Sequence, residues 1–294
     1  MSPRPLLTVV FLGLLACPVA GQDPEALRRS CDTGGAAACY NLGSMYQNGD
    51  GVPQDLALAL SLYRRACDAE VMRGCINLGT MYLNGSGVTQ DAPHAVSLFR
   101  QACDGGDMTG CSDLGFIYQR AQGVPEDFPR AVGLFQQACD GGLMPACNNL
   151  GFMYLNGAGV PRDLPRAVSL FQQACEGGHM TGCSYLALMY LNGAGVAQDL
   201  PHAVILYQQT CDAGDMPGCT GLGFLHQNGV GVAQDLPRAV TLYQRACDGG
   251  DVTGCNNLGM MYESGAGVTQ DLPRALELYR RACEGGLMEA CRRE

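Results

Sequence analysis

The sequence predicts an all-α protein, an α-solenoid built from seven helix pairs of 36 residues each. Sixteen of the 17 cysteines form eight Cys-x7-Cys pairs, and each pair begins 36 residues after the previous one without insertion or deletion. A fixed period of roughly 20–50 residues is typical of solenoids and repeat arrays. Apolar residues make up 47% of the chain and charged residues 16%, which favours a packed protein over a disordered one.

The first helix of each repeat is predicted from an apolar stripe. In the fourth repeat Cys147, Leu150, Gly151 and Tyr154 fall at i, i+3, i+4 and i+7, which is one helical face. The leucine recurs in all seven repeats and the tyrosine in six, with His226 replacing it once. An Asn-Gly-x-Gly-Val segment follows, and its glycines can adopt the positive φ of a tight turn.

The second helix is predicted from its start signals. Asp163 is placed to cap the free amides of the first turn, and Pro165 stands where a missing N–H costs nothing. Gly177-Gly178 end the helix. Its buried stripe comprises Ala167, Val168, Leu170, Phe171 and Ala174. Helix pairs of this length cannot bury their apolar faces alone, so they stack on their neighbours.

The first 21 residues are predicted to be a secretory signal and not part of the fold. Leu6 to Ala16 are almost wholly apolar, but eleven residues are too few to span a bilayer, which takes about 20. Cleavage is expected before Gln22. The alternative is a lipoprotein signal, because Leu14-Leu15-Ala16-Cys17 resembles a lipobox in which Cys17 is lipidated. Both alternatives predict an exported, periplasmic or extracellular protein in which residues 22–294 form a single solenoid.

Charge and composition exclude several classes of function. The net charge is −10, so no basic field attracts nucleic acid or an anionic membrane surface. The chain has no lysine, which removes Walker-A, Schiff-base and Ser-x-x-Lys sites. We expect no cofactor and no metal, and contact with a membrane only through a lipid anchor.

The repeat motif resembles a known family. The pattern Leu-Gly-x-x-Tyr, Asn-Gly-x-Gly-Val, then Asp-x-x-x-Ala-x-x-x-[Tyr/Phe]-x-x-Ala is similar to the Sel-like repeat, a relative of the tetratricopeptide repeat. The added Cys-x7-Cys resembles its exported branch, the Helicobacter cysteine-rich proteins. The resemblance covers Cys31 to Cys291 and implies a right-handed, disulfide-linked superhelix that serves as an interaction scaffold. It also implies penicillin binding or weak β-lactamase activity as an alternative function.

The cysteines are expected to form eight local disulfides. Pairing between successive repeats needs Cα atoms within about 7 Å, whereas stacked helix axes lie about 8–10 Å apart. Zinc is the alternative, but structural zinc sites favour closer cysteine spacing. The expected bridges join Cys31 to Cys39, Cys67 to Cys75, Cys103 to Cys111, Cys139 to Cys147, Cys175 to Cys183, Cys211 to Cys219, Cys247 to Cys255 and Cys283 to Cys291.

No catalytic residue can be named from the sequence. His94 and His202 share a repeat column three repeats apart, His226 replaces a packing tyrosine, and His179 lies in a glycine-rich turn. The recurring aspartates are explained as helix caps. Serines in a shared column (Ser61, Ser97 and Ser169) have the pattern of helix-surface residues. A β-lactamase would therefore lack a recognisable nucleophile here.

Binding is the favoured function, with a protein, a peptide or a peptidoglycan-type fragment as the partner. One side of the first helices varies between repeats while the packing columns do not. Either this side lines a concave groove or its phenylalanines pack between repeats, and the sequence leaves both readings open. The expected contact residues are Phe116, Asn148, Asn149, Phe152, Leu155, Asn156, Leu188, Asn192 and Phe224.

Overall fold

A computed structural model describes residues 23–293, which form two compact units that meet in sequence between Pro125 and Glu126. The predicted secretory segment, residues 1–21, and the predicted lipidation site Cys17 lie outside the described residues. The domain prediction for residues 22–294 therefore stays a prediction. Within the described part of the chain all regular structure is helical, as predicted.

Between residue 23 and Pro125, the first unit contains six helices. The first, nine residues long, is a shortened second helix that precedes the first repeat, and the others alternate as first and second helices. They are α1 (Pro24–Asp32), α2 (Ala36–Asn48), α3 (Leu56–Asp68), α4 (Met72–Asn84), α5 (Ala92–Asp104) and α6 (Met108–Arg120).

The unit that begins at Glu126 continues the same alternation. Here even-numbered helices are first helices and odd-numbered helices are second helices. They are α7 (Phe128–Asp140), α8 (Met144–Asn156), α9 (Leu164–Glu176), α10 (Met180–Asn192), α11 (Leu200–Asp212), α12 (Met216–Asn228), α13 (Leu236–Asp248), α14 (Val252–Ser264) and α15 (Leu272–Glu284), followed by a 3₁₀ turn, Ala290–Arg292.

The start of each second helix is fixed by its aspartate cap. In α9 the Asp163 carboxylate accepts a hydrogen bond from the Arg166 amide at 3.0 Å, and the equivalent bond recurs at every second helix from α3 to α15. The preceding turn brings Gly159 against α7, where a Cβ would lie 2.5 Å from the Phe128 carbonyl carbon. The second glycine of the turn is therefore required by close packing as well as by its φ of +74°.

In most repeats the core is an aromatic ring of the second helix packed on a glycine of the first; in the fifth repeat Ala187 stands at the glycine position, and the Tyr207 ring lies against Gly221 of the next first helix. Phe171 of α9 is fully buried and lies against Gly151 of α8, where a Cβ would come within 2.7 Å of its ring. Gly223 and Tyr243 form the same contact two repeats later. The glycine thus lets the second helix approach the first closely enough to bury the whole ring.

All eight predicted disulfides are confirmed. Each joins the end of a second helix to the start of the next first helix, and the paired Cα atoms lie 4.4–4.8 Å apart. Most of these cysteines are buried, Cys139 and Cys147 among them. A disulfide in every repeat is typical of exported proteins, because reducing compartments keep thiols free.

Residues 23–293 include no helix that is both long and apolar enough to cross a bilayer.

Candidate functional site

The variable side of the first helices is partly uncovered in the unit that begins at Glu126. On α8, α10 and α12 the second, fifth and eighth residues after the second cysteine of each pair are half-buried or exposed. We call these positions the first-helix face. They are Asn149, Phe152 and Leu155; Tyr185, Leu188 and Leu191; Gly221, Phe224 and Gln227.

The apolar residues of this face differ in exposure. Leu188 is 38% exposed and Phe224 is 46% exposed, so both offer contact area to a partner. Phe152 is half-buried, because its ring packs edge-on against Tyr185 at 4.4 Å and against Phe171 at 6.1 Å between centroids. Phe152 therefore belongs to both the face and the inter-repeat core, the two alternatives that the sequence left open.

Asn148 lies off the face. It is only 6% exposed, because its column packs towards the next first helix. In the same column Ser184 donates to a carboxylate oxygen of Asp215 at 2.7 Å, and Thr220 donates to Asp251. The Oδ1 atom of Asn148 has no hydrogen-bond partner among the described residues. The uncovered face of α8 therefore begins at Asn149, one residue later than predicted.

The other predicted contact residues are placed as follows. Asn156 and Asn192 are exposed at the ends of their helices, and the Asn156 amide nitrogen already donates to the Phe152 carbonyl at 3.0 Å. Phe116 belongs to the unit that ends at Pro125. It is half-buried, and the Arg120 guanidinium lies 5.7 Å from its ring centroid.

Second-helix tyrosines add hydroxyl groups beneath the face, a feature that the sequence reasoning missed. The Tyr243 hydroxyl donates to Gln227 at 2.7 Å, and the Tyr279 hydroxyl donates to Glu263 at 2.6 Å. Burial raises the pKa of Tyr243 and, to about 12, that of Tyr279, so both stay protonated at neutral pH. The signal was available, since this column holds phenylalanine in some repeats and tyrosine in others, and only tyrosine needs a polar partner.

The histidines serve packing and hydrogen bonding. His94 lies edge-on to Tyr82 at 4.4 Å, and His202 lies 4.5 Å from Tyr190. The Arg238 Nε donates to His226 Nε2 at 3.2 Å. Burial lowers the pKa of His179, which the Asp215 carboxylate partly opposes.

A surface cavity of about 560 Å³ lies at the turn between α8 and α9. Its polar lining comes from Tyr154, Arg162, Asp163 and Arg166. Its apolar walls include Pro161, Leu164 and Pro165. The Arg166 guanidinium lies 4.5 Å from the centroid of the Tyr154 ring, and Arg162 Nε donates to the Leu155 carbonyl. The cavity was not predicted from the sequence.

Comparison with solved structures finds the same architecture. A protective antigen of uropathogenic Escherichia coli with an SLR fold is 29% identical, with a TM-score of 0.77 over 92% of this chain and 58% of its own. This chain therefore spans 58% of the length of that protein. A Sel1 repeat protein from Oxalobacter formigenes is 22% identical, with a TM-score of 0.69 over 76% of this chain and 90% of its own.

Cysteine-rich protein B of Helicobacter pylori also matches. It is 30% identical over 44% of this chain and 93% of its own, with a TM-score of 0.37. The comparison with curated proteins found no match to this chain.

The repeats themselves match a family description. The Sel1 repeat matches seven consecutive segments, residues 36–71, 73–107, 109–143, 145–179, 181–215, 217–251 and 252–287. Sel1 repeats typically form scaffolds for protein–protein interaction. Each of these segments contains two of the disulfide-bonded cysteines described above. The chain belongs to the Sel1 repeat family.

Proposed function

We propose that the protein is an exported Sel1 repeat scaffold that binds a peptide segment of a protein partner on its first-helix face. One observation carries the proposal: large apolar side chains, Leu188 and Phe224, are 38% and 46% exposed at equivalent positions of successive first helices. Exposed apolar patches are typical of interaction sites. Half-buried amides such as Asn149 and Gln227 accompany them and can bond a peptide backbone.

The apolar character of the face favours a peptide over a peptidoglycan-type fragment, because sugars need a dense set of polar partners. The β-lactam alternative has no structural observation in its favour. Within residues 23–293 no serine hydroxyl is seen bonded to a histidine side chain, and the Ser61 hydroxyl donates to the Leu58 carbonyl.

Phe224→Ala is expected to weaken partner binding at least tenfold while leaving the melting temperature within a few degrees. A half-exposed phenylalanine contributes contact area to a complex but little to the core. Affinity would be measured by calorimetry with the partner recovered from an envelope extract. The matched control is Ile205→Ala, since Ile205 is 53% exposed but lies on the second helix α11. Equal losses for the two variants would show that the first-helix face has no special role.

Binding on this face is also expected to depend little on ionic strength, because its exposed side chains are apolar or neutral. A steep fall in affinity between low and physiological salt would indicate a charged interface elsewhere on the protein.

Export predicts a processed N-terminus. Intact mass of protein from its native envelope should show a chain that starts near Gly21 or Gln22, or an acylated Cys17. The two forms differ by the residues retained and by the lipid, so one spectrum separates them. A mature protein that retains Met1 would contradict export, and it would leave the eight disulfides without an oxidising compartment.

A further inference from the structure

The turn between α8 and α9 carries a substitution found in no other repeat. Just before the aspartate cap five repeats have glutamine, whose side-chain amide donates to a carbonyl of the preceding first helix, as Gln198 donates to Leu191 at 2.8 Å. The third repeat has Glu126 here, and the fourth has Arg162, whose Nε donates to the Leu155 carbonyl at 3.0 Å. Arg162 therefore keeps the hydrogen bond of the glutamine, and its two Nη atoms make no hydrogen bond within residues 23–293.

A second arginine lines the same cavity and also has no carboxylate partner in the described part of the chain. The Arg166 guanidinium lies 4.5 Å from the Tyr154 ring centroid, and its Nη2 donates to the side-chain oxygen of Gln136 at 3.1 Å. In the same column of the preceding repeat, Arg130 pairs with the Asp127 carboxylate at 3.2 Å. The fourth repeat thus places two arginines without an ion pair around one cavity, in a chain with a net charge of −10.

The tyrosine of this cavity has lost the partner that its equivalents have. In the first three repeats the hydroxyl accepts from an arginine 18 residues earlier, as Tyr82 accepts from Arg64 at 2.6 Å. For Tyr154 that position holds Gln136, whose oxygen is bonded to Arg166. Among residues 23–293 the Tyr154 hydroxyl makes no hydrogen bond, and it is not one of the fully buried polar atoms. It is therefore available to donate to a group in the cavity.

Charge and shape define what this cavity fits. Arg162 and Arg166 supply two positive charges, and Asp163, which accepts from the Arg166 backbone amide, supplies one negative charge. The sum matches a monoanion, and a planar carboxylate fits the fork of a guanidinium. Pro161 and Leu164 add apolar walls, and the volume of about 560 Å³ lies in the range of small-molecule sites.

We infer that the cavity between α8 and α9 binds a monocarboxylate that carries an apolar group. The Arg162 Nη atoms and the Tyr154 hydroxyl donate to the carboxylate, Arg166 adds positive charge, and the apolar group contacts Pro161 and Leu164. This inference goes beyond the proposed function, because none of these residues belongs to the first-helix face. Two sources share the required chemistry: a free acid with an apolar chain, and the C-terminal carboxylate of a peptide that ends in an apolar residue.

The test measures hexanoate binding by calorimetry at low ionic strength. Arg162→Gln should weaken it at least tenfold, because one of the two positive charges and its hydrogen bonds are lost. Glutamine is the residue of five other repeats and can keep the bond to the Leu155 carbonyl, so the melting temperature should stay within a few degrees. The matched control is Arg73→Gln, which removes the same charge from an exposed site on α4 and should leave hexanoate affinity unchanged.

Further probes identify the recognised group and its source. Neutral hexanamide should bind at least tenfold more weakly than hexanoate, and hexanoate affinity should fall as ionic strength rises. Acetyl-Gly-Leu with a free carboxylate should also bind, and its amide should not. Tighter binding of acetyl-Gly-Leu than of hexanoate would support the inference with a peptide C-terminus as the source, and the reverse order would support it with a free acid.

Four results would overturn the inference. They are no binding of hexanoate or acetyl-Gly-Leu to the wild type, equal hexanoate affinity of the wild type and Arg162→Gln, equal affinity for hexanoate and hexanamide, and tighter binding of inorganic phosphate than of both carboxylates. None of them bears on the first-helix face, since Phe224→Ala should bind hexanoate as the wild type does. A tenfold loss in Phe224→Ala would contradict a separate site.

Discussion

Replacing Cys139 and Cys147 together by alanine is expected to lower the free energy of unfolding by about 3–4 kcal/mol. Closing a loop with a sequence separation of eight restricts the unfolded chain by about 2–3 kcal/mol in the chain-entropy treatment. The remainder comes from packing, since Cys139 and Cys147 are 1% and 0% exposed and their sulfur atoms fill space between helices. Denaturant unfolding followed by circular dichroism measures the loss.

The control is the same double replacement at Cys283 and Cys291. That loop has the same sequence separation, so its chain-entropy contribution is equal, but both cysteines are partly exposed. The difference in unfolding free energy between the two variants therefore measures the contribution of the buried contacts of Cys139 and Cys147. Equal losses would show that the sulfur atoms add nothing to packing. An unchanged stability for the first variant would show that the Cys139–Cys147 bridge does not form in the purified protein.

The helices could be predicted because each repeat carries its own local signals. Asp163 predicted the start of α9 and Gly177-Gly178 its end, and the observed helix is Leu164–Glu176 with Asp163 and Gly177 as its caps. The disulfides followed from the same logic, because a separation of eight residues across a helix–helix turn leaves few partners within reach. Helix caps and cysteine spacing are local in sequence, so they can be interpreted without knowing how successive repeats pack against each other.

The exposed register of the first helices could not be predicted in the same way. Neighbouring helix positions differ by about 100° in direction, so Asn148 and Asn149 face different surroundings. Which of them is buried depends on where the next repeat packs, and that contact joins residues 31 apart, as in Ser184 and Asp215. The contact of the Tyr207 ring on α11 with Gly221 on α12, beside Ala187 on α10 at the position where most other repeats have the contacting glycine, is likewise distributed over three helices. Neither position is unusual when read alone.

Asp113 on α6 is a similar case, and it carries the second large prediction. Its column holds asparagine in most other repeats, at Asn41, Asn77, Asn149 and Asn257. Burial and, to a smaller extent, the nearby carboxylate of Asp107 together raise the pKa of Asp113 to about 7. The ordinary value in an unfolded chain is about 3.9. The folded protein therefore holds this proton more tightly than the unfolded chain does.

The sign of the pH dependence follows from that difference. Between about pH 4 and pH 7 the folded state keeps the proton that the unfolded state has lost, so Asp113 makes stability fall as pH rises. Below this window both states are protonated and the residue costs nothing. Above it the folded protein carries a buried carboxylate, whose cost is about 2–4 kcal/mol once partial solvation is allowed for.

Asp113→Asn should therefore stabilise the protein by about 2–4 kcal/mol at pH 8 and by almost nothing at pH 4. Four other repeats have asparagine at this position. One of them is Asn149, and the aromatic residue of the second helix before it is Phe135, so asparagine is accepted here even without a tyrosine hydroxyl to bond. Chemical denaturation across the pH range gives the curve. Asp104→Asn removes the same charge from an exposed site at the end of the preceding helix, α5, and should change stability by less than about 0.5 kcal/mol. Equal gains for the two variants would assign the effect to net charge, and a gain at pH 4 as large as at pH 8 would exclude titration of Asp113 as its cause.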